Sequence, residues 1–448
     1  MARFFRLSLR RFRGVAAGLM LAASGCAPHS AWQEVPEAPF TYQKRSDLTS
    51  EPAEPGGLAS LDDLIQRATM TNRGLQAAFA RWQAAAQKAP QARALPDPSI
   101  SYSYWARRSP MGPVRQQMAL QQAFPWFGSR DLAAQAAVEE AEEARLEFEA
   151  QRNRVVLEVE SVYFEYCYLV RAAAVMEENA KLAATLEEVA RANFRAGRAS
   201  LADVLKMQTE LGEIGNRLSS ARDVLRPIAA KLNALLDRSA GAPLPTPPDR
   251  LPADAILPDE GELDRLLRDN NPELQALDAA IRKNTALISL ARKKYFPEFS
   301  FGVEYMDMAG GGDDPVAAMG MITLPVWRGK YAAGVKEAVA GHAAAVNSRR
   351  DAENRLSAEL RMALYDARDA GRRISLYRDA LIPKARQTIV VVQQALQAGN
   401  AAFLDAIDAE RTLLEFQLAL ERAIADRSIA WARIVSLTGG RLPANAPE

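Results

Sequence analysis

Few side chains in this 448-residue chain have a type and spacing that does chemistry. There are two cysteines, Cys26 and Cys167, and two histidines, His29 and His342. None stands at metal-ligand spacing, and they form no disulfide framework. No Gly-rich phosphate loop and no His-based triad is present, so no enzyme, no catalytic residue, no metal site and no dissociable cofactor is expected. His342 lies among alanines and reads as a surface residue, and Cys167 beside Tyr166 reads as packing. Two features remain. One is the thiol of Cys26, placed directly after Ala22-Ala23-Ser24-Gly25. The other is a set of carboxylates close behind glycine-containing turns: Asp203 after Gly197, then Asp405 and Asp408 after Gly399. An acid just inside a helix is favoured by the helix dipole, which accounts for Asp203 and Asp405 without any further role and accounts less well for Asp408.

The elements around Cys26 give it a setting. Arg3, Arg6, Arg10, Arg11 and Arg13 precede a short apolar run from Val15 to Ala23, too short to span a membrane. The end of that run resembles the lipobox of bacterial lipoproteins, with Ala23 where Leu is usual. The resemblance implies removal of residues 1–25 and a covalent lipid on Cys26, and Ala27 favours outer-membrane sorting. No later stretch is apolar enough for a transmembrane helix, so any crossing must use strands closed into a barrel. Lys+Arg 56 against Asp+Glu 55 leaves no basic excess, and no nucleic-acid partner is expected.

The chain is written twice, with a period of about 200 residues. Asn72-Arg73-Gly74-Leu75-Gln76-Ala77 matches Asn271-Pro272-Glu273-Leu274-Gln275-Ala276. Phe124-Pro125-Trp126-Phe127-Gly128 matches Leu324-Pro325-Val326-Trp327-Arg328-Gly329, and the turn Ala196-Gly197 through Asp203 matches Ala398-Gly399 through Asp405. An extended segment (26–57) precedes the first copy (58–240). A Pro-rich linker (241–258) precedes the second copy (259–438), and a tail (439–448) ends the chain.

Each copy has one internal order. A moderate helix (Leu58 to Ala94; Asp259 to Lys294) leads into a β-hairpin (98–124; 298–324). A very long helix follows (Gly128 to Ala196; Gly329 to Ala398), and a return helix (Leu201 to Asp237; Phe403 to Thr438) ends the copy. The first long helix would extend roughly 100 Å. Val155, Val159, Val162, Tyr166, Leu169, Ala173, Met176, Ala180 and Ala183 alternate spacings of four and three, a coiled-coil seam. Leu356, Leu360, Ala363, Ala367, Ala370, Ile374, Tyr377 and Leu381 repeat it, and Pro227 and Pro383 should bend their helices. In the hairpins, Ser99, Ser101 and Ser103 alternate with Ile100, Tyr102 and Tyr104, and Phe299, Phe301, Val303 and Tyr305 alternate with Ser300, Gly302 and Glu304. One face is apolar and one polar, as in a membrane strand. Four strands cannot close a barrel, so several chains must contribute.

On the duplicated order, on Asn271-Pro272-Glu273-Leu274, on Phe124-Pro125-Trp126 with Gly128 and Arg130, and on Gly197…Asp203-Val204-Leu205, the chain resembles the TolC outer-membrane efflux family. The resemblance implies a mainly α fold with a small membrane β part. It implies a homotrimeric α-barrel continued by a 12-stranded β-barrel in the outer membrane of a Gram-negative bacterium. It implies partners as well: outer-membrane lipid, a periplasmic adaptor, and an inner-membrane pump, proton-driven, with this chain as a passive duct. Asp405, Asp408 and the copy-one equivalent Asp203 would ring a periplasmic gate, where carboxylates near a narrow axis attract cations. Gly197, Arg198, Gly399 and Asn400 would meet the adaptor. The Phe-Pro-Trp motif is most similar to the heavy-metal cation branch, and drugs are the other cargo class. The competing readings are the outer-membrane component of type I protein secretion, a lipidated periplasmic adaptor, and a coiled-coil scaffold lipoprotein. An adaptor would carry one hairpin, and a scaffold would need no alternating strands.

Overall fold

The computed structural model describes residues 60–105, 114–248, 251, 258–308, 313–397 and 402–440. Cys26, segments 1–25 and 26–57, part of the linker, Gly399, Asn400 and the tail beyond residue 440 lie outside the described residues. In order the elements are α1 (Leu61–Thr71), α2 (Arg73–Ala86), α3 (Lys88–Arg93), β1 (Ser99–Tyr104), β2 (Val114–Phe124), α4 (Ser129–Arg195) and α5 (Leu201–Leu235). Then follow α6 (Glu260–Asn270), α7 (Pro272–Lys293), β3 (Glu298–Met308), β4 (Val316–Thr323), α8 (Arg328–Ser375), a π-helical segment (Leu376–Leu381), α9 (Ile382–Gln397) and α10 (Phe403–Leu437). The described residues divide into two compact units: 83–142 with 279–346, and 60–82 with 143–278 and 347–440.

The first unit holds one antiparallel sheet in the order β1-β2-β3-β4. The hairpins join through β2 and β3, with Leu120 opposite Val303 and Ala119 opposite Glu304. The register sorts the strands into two faces. Ile100, Tyr102, Tyr104, Phe301, Val316 and Ile322 share the apolar face and are well exposed, Tyr102 by 58%. Ser101, Ala119, Gly302, Glu304 and Ala317 share the other, where Ala119 and Glu304 are buried. A side chain at Gly302 would come within 2.9 Å of the Leu120 carbonyl, so only glycine lets the backbones approach there. Trp126 stacks on Phe296 with ring centroids 4.8 Å apart, tying the exit of one hairpin to the entry of the next. Lys88–Glu140 and Arg282–Glu139 ion pairs join this unit's helical segments. No described helix is long and apolar enough to cross a membrane.

The second unit is helical. Leu64 and Ala68 of α1 pack on Val155, Val159 and Val162 of α4 and Leu232 of α5. Leu263 and Leu267 of α6, Leu360 and Leu364 of α8, and Ile434 of α10 form a second core. The seam residues predicted on α4 are buried, apart from Tyr166 and Ala180, which are half-buried. Cys167 is buried in the first core, and burial pushes its thiol up to about 11, so it packs as a hydrophobe.

Two expectations change. The moderate leading helices are broken at Asn72 and at Asn271, and the first is broken again at Gln87. At the two asparagines the physical reason is a tertiary bond. Asn72 accepts the Leu75 N–H with Oδ1 (3.1 Å) and donates Nδ2 to the Leu235 carbonyl (3.1 Å). Asn271 accepts from Glu273 and Leu274 and donates to the Leu437 carbonyl (2.9 Å). Each asparagine starts one helix while satisfying the orphan carbonyls that end a return helix.

The second long helix is also interrupted. Gly197 follows Pro125 by 72 residues, whereas Gly399 follows Pro325 by 74. The π segment takes up excess length by winding extra residues into a turn. The seam shows the phase change: after Ile374 the buried positions are Ile382, Ala385 and Ile389, one residue beyond the predicted Tyr377–Leu381 continuation. Pro383 follows at once, where its missing N–H suits a broken ladder. Pro227 lies within the continuous helix α5.

Candidate functional site

The site is built at the N-terminal turns of the return helices. Helix α4 ends on Gly197 at φ +73°, with the Arg198 N–H donating to the Asn193 carbonyl at 2.8 Å. This is a left-handed glycine cap. Helix α5 opens with a capping box. Asp203 N–H donates to Ser200 Oγ (3.2 Å), and Ser200 N–H and Oγ–H donate to Asp203 Oδ2 (3.0 and 2.6 Å). Those bonds from Ser200 hold the Asp203 carboxyl below the usual carboxylate range.

In the second turn, Ala402 N–H donates to Asp405 Oδ2 at 3.1 Å. Ala402 has no hydroxyl, so this box is half made. Asp203 and Asp405 thus both do capping work. Asp405 and Asp408 are exposed, and Asp408 adds its negative charge beside Arg411. Arg195 and Arg198 are exposed and form no ion pair among the described residues.

One apolar cluster holds the two turns together. Leu186 and Ala190 of α4, Val204 and Met207 of α5, Leu396 of α9, and Phe403, Ala406 and Ile407 of α10 pack as a unit. The structure therefore brings Asp203, Asp405 and Asp408 to one end of one helical cluster. Gly399 and Asn400 lie outside the described residues.

Behind the turns lies a charged layer that sequence reasoning missed. Arg411 of α10 pairs with Glu210 of α5 and approaches Glu213 (3.9 Å). Glu187 of α4 accepts from Arg191 and from Gln208 (2.9 Å). Asn179 donates to Gln417 (2.8 Å). Glu410 is fully buried, and neither carboxylate oxygen has a hydrogen-bond partner. Burial, with Glu210 adding like charge, pushes its carboxyl up to about 7. One signal could have found it: Phe403, Ile407, Glu410 and Leu414 keep seam spacing with an acid at a seam position. No group of His, Cys, Asp and Glu among the described residues could hold a metal ion.

The geometry is that of helical hairpins and a four-stranded sheet with one apolar face. The comparisons agree. Among solved structures the chain is similar to the outer membrane protein VceC of Vibrio cholerae, at 19% identity over 85% of this chain and 96% of that one, with a TM-score of 0.72. It is similar to a membrane protein of Pseudomonas aeruginosa at 20% identity, over 87% and 98%, with a TM-score of 0.74. The outer membrane channel CmeC of Campylobacter jejuni gives 15% identity, 90% and 93% coverage, and a TM-score of 0.70. At these identities the likeness shows the fold. No curated protein sequence matches the chain. The profile of the outer membrane efflux proteins matches residues 64–237 and again 263–440. The chain belongs to the outer membrane efflux protein family, a family of transport proteins rather than enzymes.

Proposed function

We propose that this chain is one third of an outer-membrane exit duct in a tripartite efflux system. Three copies supply four strands each to a 12-stranded barrel, and their helices form an α-barrel. The observation that carries this reading is the sheet. β1 and β4 each pair on one side only among the described residues, and one face exposes tyrosine, phenylalanine and isoleucine. Open edges and an apolar face are both resolved by closure with other copies inside lipid. The two matched stretches of the profile support a duplicated organisation of 58–240 and 259–438 around the linker 241–258.

In this reading substrate passes passively, delivered by a proton-driven inner-membrane pump through a periplasmic adaptor. Gly197, Arg198, Gly399 and Asn400 form the tips that meet the adaptor. Asp203, Asp405 and Asp408 line the periplasmic opening, where three copies of each would draw cations. A lipid on Cys26 anchors the chain to the outer membrane. Heavy-metal cations or drugs are the cargo classes.

The test is direct. Purified acylated protein should run as a heat- and SDS-sensitive trimer and conduct ions across a planar bilayer. Asp405→Ala with Asp408→Ala should change cation selectivity or resting conductance. A monomer that never conducts defeats the duct, and unchanged selectivity leaves Asp405 as a cap alone.

A further inference from the structure

Glu410 is hard to account for as packing. A buried carboxylate ordinarily finds donors, and here both oxygens lack them. The cation nearest in sequence, Arg411, is committed elsewhere, to Glu210 and Glu213 on α5. Glu210 is itself buried and presents a second negative charge to Glu410. On the α4 side the charged groups are Glu187 and Arg191, and Glu187 accepts from both Arg191 and Gln208. The α9 side offers Ile382, Ala385 and Ile389, packed against Ala409 and Leu413, while Lys384 and Arg386 of α9 are exposed. On α10 itself, Asp408 adds a further negative charge near Arg411. Arg411 supplies the one opposing charge, which burial and the like charge of Glu210 outweigh, and it donates no hydrogen bond to Glu410.

We propose that Glu410 is a proton-controlled latch: protonated, it lets α10 stay packed between α5 and α9, and ionised, it loosens that packing just behind the tip. The sign follows from burial. The packed state binds the proton more tightly than a loosened state, in which water restores the ordinary value of 4.5. Packing is therefore at full strength below the ordinary value, weakens as pH rises towards about 7, and changes no further above it. Its consequence for conduction rests on the duct proposed above; the loosening does not.

The experiment is amide hydrogen exchange on the full-length protein in detergent, corrected for intrinsic rates. Protection across Phe403–Gln417 is compared from about pH 5.5 to about pH 8.5. Wild type should lose protection there by roughly 30-fold. Glu410→Gln, which keeps the shape and cannot ionise, should flatten the profile. Glu415→Gln, at an exposed position of the same helix, should leave it as in wild type. Glu210→Gln frees Arg411 to meet Glu410 and should also flatten it. A Glu410→Gln profile as steep as wild type, or a wild-type profile that is flat, overturns the latch. Bilayer conductance of the same samples separates the two ideas. A silent channel with a pH-dependent wild-type exchange profile removes the duct and keeps the latch.

Discussion

Helices α5 and α10 are each 35 residues long and follow similar turns, yet they are covered very differently. Seven residues of α5 are buried, against fourteen of α10. Helix α10 is clasped from two sides, by α4 and α5 through Ala183, Leu186 and Met207 and by α9 through Ile382 and Ile389. Helix α5 has cover on one side, and its other flank presents Leu201, Leu205 and Val224, each more than two-fifths exposed. On α9, Val390 and Val391 are exposed in turn. In the proposed trimer these two bare flanks would meet head to tail, each copy covering its neighbour. Helix α10 is thus largely covered within the chain, whereas a flank of α5 and a flank of α9 are left bare.

That contrast can be broken on the bare flank. Leu205→Glu with Val224→Glu should leave the fold of each chain intact and release monomers. Each buried aliphatic side chain is worth about 1.5–3 kcal/mol per interface, so the trimer fraction in sedimentation should fall at least tenfold. An undisturbed trimer would place α5's flank outside the assembly.

The helix breaks give a smaller effect. Asn271→Ala removes two accepted N–H bonds and strands the Leu437 carbonyl in a buried place, costing about 2–4 kcal/mol. Asn72 is half-buried and accepts one such bond, so Asn72→Ala should cost about 1–2 kcal/mol. Chemical unfolding in detergent would compare them, and equal losses would contradict the difference in burial.

The smallest effect concerns the turns. Ser200→Ala should weaken the first, and Ala402→Ser should complete the second box, each by about 1 kcal/mol. Because Ser200 lowers Asp203, the first turn's added stability holds above the ordinary carboxylate range and is lost as pH falls through the lowered value. Exchange protection of the first turns of α5 and α10 reads both changes. A second turn left unchanged by the new hydroxyl would mean that Ala402 already has what it needs.

Much of this fold is legible in the residues. The four-three spacing from Val155 to Ala183 marks buried positions, and the Ser/Tyr alternation of β1 marks two faces that the register bears out. The break at Asn72 was not legible, because helical periodicity continues across it and the cause is a carbonyl far along the chain; that at Asn271 carried one local sign, Pro272, which takes the first position of the next helix. Pro383 announces a bend, but the phase shift of the seam comes from the π segment, which has no local signature. At the tip, Asp203 and Asp405 are visible as acids after turns. The capping bonds of Asp203 follow the Ser200-x-x-Asp203 pattern, whereas Ala402 at the matching position gives Asp405 no such signature. Glu410 was hidden because one charged residue hardly disturbs an apolar stripe, and its isolation depends on Arg411 turning to Glu210.

In the proposed assembly the sheet of one chain is completed by its neighbours. Cysteine pairs, one in Ser99–Tyr104 and one in Val316–Thr323, test it in the assembled protein under oxidation. Covalent trimers are expected from some registers, formed without loss of conductance. Monomers alone at every register, under conditions where the trimer persists, would contradict it.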